Sequence, residues 1–150
     1  VVGYHGCSEE FARELLLGTK PIASWEPSTN EWDWLGHGIY FWEHAPERAF
    51  RWAEEKHSAH GQSPAVLGAV VQLGRCFDLL NEAITTLLKD SHRALFDYFA
   101  EKGQRLPQNR GKDLRRRDLD CLVINGCLNE LDSRNLKYDT VQRVEAGTRS

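Results

Sequence analysis

Residues Trp32 to Trp42 read WDWLGHGIYFW, and the rest of the chain is read around them. The stretch holds three of the five tryptophans, two glycines, a histidine, a tyrosine and a phenylalanine. Aromatic side chains carry large buried area and stack on flat ligands. Gly36 and Gly38 allow a sharp turn or a close approach to the backbone. Ile39-Tyr40-Phe41-Trp42 predicts a short buried strand. An aromatic core cluster in a hairpin accounts for the same residues as well as a ligand surface does.

Composition bounds the rest. A chain of 150 residues, 41% hydrophobic and 27% charged, is the size and balance of one globular domain. A net charge of -3 argues against a chain built as a whole for nucleic acid. No apolar run approaches the roughly 20 residues that span a bilayer, so no membrane partner is expected. The opening Val1-Val2-Gly3-Tyr4-His5 has no signal-peptide pattern, and the absence of methionine raises the expectation of a processed product or fragment. Cys7, Cys76, Cys121 and Cys127 form no Cys-x-x-Cys pair. They are expected reduced and mostly buried, in a cytoplasmic setting. Zinc held by Cys121, Cys127 and a histidine fits no common ligand spacing, and no metal site is expected.

Along the chain, Val1 to Gly6 predicts a strand. Ser8 is placed to cap a helix whose first turn holds Glu9 and Glu10 and which Gly18 ends. Thr19 to Asn30 predicts a loop. Pro46 opens a second helix, with Ala49, Trp52 and Ala53 on one inward face. Val66 to Leu73, VLGAVVQL, predicts a central strand buried on both faces. Glu82 to Lys102 predicts a third helix that Ser91 would break or bend. Leu119, Leu122, Val123 and Leu131 mark a fourth, and Tyr138 to Glu145 a last strand. Four strands and four helices imply a mixed α/β or α+β fold. Arg105 to Arg117 predicts a loop with six basic residues, a surface for RNA if it is not simply solvated.

Several chemistries are excluded. There is no Walker-type loop and no Gly-x-Ser-x-Gly elbow, and Phe41 stands where a dinucleotide fingerprint needs its third glycine. What remains is an ordered set: His5-Gly6 after a first strand, Gly38-Ile39-Tyr40-Phe41, a helix bearing Ala49 and Trp52, and VLGAVVQLG. That set resembles the ADP-ribosyltransferases of the diphtheria-toxin and poly(ADP-ribose) polymerase type, over residues 1 to 74. Trp-Leu-Gly-His-Gly-Ile-Tyr-Phe-Trp is also similar to a stretch in small bacterial proteins.

The resemblance implies a single α+β domain over residues 1–150, with a split mixed sheet and flanking helices. It implies transfer of ADP-ribose from NAD to an acceptor, with nicotinamide released, in a bacterial toxin or effector. His5 would orient NAD through a ribose hydroxyl. The backbone of Gly6 would hold the nicotinamide amide. Gly38 and Tyr40 belong to the second motif, and Tyr40 and Trp52 would sandwich the ring. The acceptor is a protein, a nucleic acid or a small molecule; related tRNA 2′-phosphotransferases act on RNA. Trp52 stands where the family usually has tyrosine, Ala49 where a hydroxyl residue helps hold the amide, and Cys7 where serine or threonine follows His-Gly. The late strand offers only Gln142 and Glu145 for the family's polar or acidic residue, so no catalytic residue is assigned. A fold incomplete at its C-terminus is expected. Two other readings use the same residues: an inactive NAD- or ADP-ribose-binding module, and a structural domain in which Trp25 or Trp32 meets a partner.

Overall fold

The computed structural model describes residues 1–143 and shows a mixed α+β chain with small sheets and four α-helices. It divides into two compact units, one of residues 1–27 and 39–72, the other of residues 28–38 and 73 onward.

In the first unit, strand β1 (Val2–Ser8) runs directly into helix α1 (Glu9–Leu16). The hand-over works because the Ser8 hydroxyl accepts a hydrogen bond from Phe11 N at 3.2 Å, and Glu9 and Glu10 sit at the positive end of the helix. Strand β2 (Trp42–Glu43), helix α2 (Pro46–His57) and strand β3 (Pro64–Val70) follow. The sheet is antiparallel, in the order β2-β1-β3. Cys7, Ala12 and Leu67 form a small core, lined by Phe11, Leu15, Trp25 and Ala65.

Two expectations are corrected here. Ile39 to Trp42 is not a buried strand: only Trp42 and Glu43 pair, and Ile39 is 38% exposed. Val66 to Leu73 is not a central strand. β3 ends at Val70, pairs only with β1 among the described residues, and leaves Val70 87% exposed. A run of apolar residues reads alike at the centre and at the edge of a sheet, because periodicity carries no information about how many neighbours a strand has.

In the second unit, strand β4 (Cys76–Asp78) pairs in parallel with strand β5 (Thr140–Gln142). Among the described residues the chain therefore has five strands, with β4 the unexpected one. Helix α3 (Glu82–Glu101) is capped by Asn81, whose side chain accepts from Ala83 N at 2.9 Å. It passes Ser91 without a break. Helix α4 (Asp118–Ser133) packs on α3, where Gly126 lies beside Leu95. Phe77, Ile84, Cys127 and Leu131 are buried together. Burying a side chain such as Phe77 contributes roughly 1.5–3 kcal/mol. The expected last strand survives as Thr140–Gln142, and Glu145 lies outside the described residues.

Candidate functional site

The first motif sits on β1, and the register of its neighbours fixes which way each residue faces. Val71 N donates to Val1 O and Glu9 N to Ser63 O, so the odd residues of β1 turn their N–H and C=O towards β3. His44 N donates to Val2 O, so the even residues turn theirs towards β2. Pairing with β2 ends at Tyr4↔Trp42. Gly6 is the next even residue, and its amide and carbonyl lie along an edge where the ladder has stopped.

Gly6 is also required by packing. A Cβ at this position would lie 2.2 Å from the carbonyl oxygen of Ala49, so α2 rests on the bare backbone. Ala49 and Ala53 are both 0% exposed for the same reason: small side chains let helix and strand approach.

His5 ends the β2 ladder in another sense. Its Nδ1 lies 2.8 Å from the carbonyl oxygen of Tyr40, the residue that would next have joined the strand. The ring is enclosed by Trp25 at 4.7 Å, edge-on, and by Phe41 at 5.7 Å. Burial pushes the imidazole pKa below its ordinary 6.5; the Tyr40 carbonyl opposes this, and the charges of Lys56 and His57 add to it. His5 is therefore neutral at pH 7. A carbonyl can only accept, so the proton is on Nδ1 and Nε2 carries a lone pair.

Trp52, one turn along α2 from Ala49, is half-buried rather than inward-facing. Its ring packs on Trp42 at 5.6 Å, and Lys56 Nζ lies 4.6 Å from its centroid. His57 hydrogen-bonds the Gln62 side chain at 2.9 Å. The structure thus joins His5 to Tyr40, and Gly6 to the helix that carries Trp52. Gly38 belongs to the second unit, where it exchanges backbone bonds with Ser28 at 2.8 and 3.0 Å.

Much of the central aromatic stretch has a different role. Trp34 Nε1 donates to Arg115 O at 2.9 Å, Arg116 lies 4.3 Å over the Trp32 ring, and Arg117 lies 5.4 Å over Trp34. Arg110 and Arg116 both bond the buried Asp118 carboxylate, at 3.3 and 3.2 Å, and Arg117 pairs with Asp120. Burial alone would raise the Asp118 pKa, but the Arg110 hydrogen bond and the charges of Arg116 and Arg110 hold it below the usual carboxylate range. At least three of the six basic residues of the loop, Arg110, Arg116 and Arg117, are thus engaged by carboxylates. Sequence reading missed this cluster, whose partners lie more than 80 residues apart in the chain.

Among the described residues, no group of three or more His, Cys, Asp or Glu side chains is arranged to hold a metal, and no helix is long and apolar enough to cross a membrane. Comparison with family models, curated proteins and solved structures finds no match to this chain.

Proposed function

We propose that the chain is an NAD-dependent ADP-ribosyltransferase whose first unit binds the nicotinamide half of NAD. One observation carries this reading: the Gly6 amide and carbonyl border an edge that β2 has left, next to a neutral histidine. A backbone N–H and C=O side by side complement a carboxamide, which has one acceptor and two donors. His5 Nε2 would accept a hydrogen bond from a ribose hydroxyl, leaving its Nδ1 bond to Tyr40 intact. Tyr40 and Trp52 would supply ring faces, with Trp52 giving up its contact to Lys56.

The reaction follows from such a pose. Nicotinamide leaves with the electron pair of its bond to ribose, through an oxocarbenium-like transition state. The acceptor then bonds to the same carbon and releases its proton. Binding along NAD positions that carbon. No late polar residue is assigned to this site: Gln142 belongs to the second unit, 3.8 Å from the Cys76 sulfur, and Glu145 lies outside the described residues. An RNA acceptor would meet Arg105 and Lys112 of the basic loop. A second reading, NAD binding without turnover, is favoured by the lack of a clear late glutamate in the sequence.

Nicotinamide release from NAD by the purified chain, with Tyr40→Ala as control, tests both. Release that disappears in the variant supports transfer or hydrolysis at this site. Thermal stabilisation by NAD without release leaves the binding reading alone. Neither release nor stabilisation would return the aromatic residues to a purely structural role.

A further inference from the structure

We propose that Lys56 gates the nicotinamide site and selects for a phosphate. Its ammonium covers the Trp52 ring in the free chain, and it moves onto the phosphate beside the nicotinamide ribose when the ligand's ring takes its place. The inference deepens the NAD reading and rests on it.

Three groups pack on the Trp52 ring, and they differ in how firmly they are held. Trp42, at 5.6 Å, is fixed in β2. His57, edge-on at 6.4 Å, is held by its bond to the Gln62 side chain at 2.9 Å. Lys56 Nζ, at 4.6 Å from the ring centroid, is the third. Lys56 is exposed and forms no ion pair among the described residues. An exposed cation–π contact is weak, so Lys56 is the neighbour that a flat ligand displaces. The displaced ammonium is a compact point charge on a flexible four-carbon stem, suited to a phosphate. The charges of Lys56 and His57 both reach His5, which places this cationic turn of α2 at the imidazole assigned to a ribose. In the dinucleotide, the nicotinamide ring and its nearest phosphate hang from one ribose. One ligand therefore takes the Trp52 face and gives the ammonium an anion in exchange.

Nicotinamide mononucleotide and nicotinamide riboside differ only in that phosphate. Both are titrated into the wild type, Lys56→Gln and Lys56→Arg, with the tryptophan indole N–H signals followed by NMR and NAD as the reference ligand. The wild type should prefer the mononucleotide. In Lys56→Gln the mononucleotide should weaken while the riboside tightens, because the charge and the cover are lost together. The preference should fall ~5-fold or more. Lys56→Arg keeps a cation over the ring and should keep the preference. A side chain with a merely structural role would shift both ligands alike, and a preference unchanged in Lys56→Gln overturns the proposal. So does a wild type that takes NAD but shows no preference for the mononucleotide. A wild type that binds neither NAD nor the two smaller ligands defeats the NAD reading itself, and this inference with it.

Discussion

His5 Nδ1 lies 2.8 Å from the carbonyl oxygen of Tyr40, and that bond closes one strand ladder while setting the state of a buried imidazole. The ring proton is committed to the carbonyl, and burial keeps a second proton off Nε2. A structural tie and a tuned acceptor are the same interaction.

A pH dependence follows. The folded-state pKa of His5 is lowered from 6.5, so below pH 6.5 the folded chain binds fewer protons than the unfolded chain. The stability tied to neutral His5 is complete above pH 6.5 and is lost as pH falls through the folded-state value. Melting temperature followed from about pH 7.5 to about pH 5 should fall more steeply in the wild type than in His5→Phe. NAD affinity should weaken in the same window, because a protonated Nε2 cannot accept a hydrogen bond. Parallel melting profiles for wild type and variant would refute the assigned protonation state.

Gly6→Ala should destabilise the first unit by ~1–3 kcal/mol, the usual range for forcing an atom into a packed site. The new methyl would meet the Ala49 carbonyl, which belongs to the helix backbone and cannot rotate away. Urea denaturation measures the loss, which is expected with or without NAD. An unchanged midpoint would mean that α2 does not rest on Gly6.

The carboxylates of the second unit should differ sharply in importance. Glu130 forms its bond to Arg134 on an exposed face, and Glu130→Gln should cost at most about 1 kcal/mol. Asp118 holds Arg110 and Arg116 together at the start of α4, so Asp118→Asn should lower the urea midpoint more. Because the folded pKa of Asp118 is lowered, its contribution is present above the ordinary carboxylate range and is lost as pH falls through the folded value. Equal midpoints for the two variants at pH 7 would contradict this assignment.

Thiol labelling gives an independent check on the core. Burial pushes the Cys7 thiol up to about 11 and also raises those of Cys121 and Cys127. Cys76 is only half-buried. Brief treatment of the native protein with iodoacetamide near neutral pH should modify Cys76 first, by peptide mass mapping, and all four after denaturation. Early modification of Cys7 would mean that the α1–β1 packing opens readily.

The helices were legible because their ends carry local chemistry. Ser8 and Pro46 start α1 and α2 where the sequence places them, and Leu88, Leu95 and Phe99 mark the inner face of α3. The strands were less so. Ile39 to Trp42 has the composition of a strand, yet the His5 side chain takes the Tyr40 carbonyl. Val66 to Leu73 has the composition of a buried strand, yet among the described residues β1 is its one neighbouring strand. The short β4 gave no signal beyond the residues Cys76–Asp78 themselves. Of the candidate site, the adjacency of His5 and Gly6 was visible in sequence. The placement of Arg116 and Arg117 over the Trp32 and Trp34 rings was not, since residues so distant in the chain leave no local periodicity.

The alternating facing of β1 has a consequence for how this chain tolerates change. Odd residues bind β3 while even residues reach β2, and Gly6 lies just past the end of the second ladder. Deleting or inserting one residue between Val2 and Gly6 would exchange the two sets, turning the glycine's amide inward and the imidazole to the opposite face. The length of this seven-residue strand is therefore constrained more tightly than its composition: many substitutions are compatible with it, but a one-residue frame slip is not.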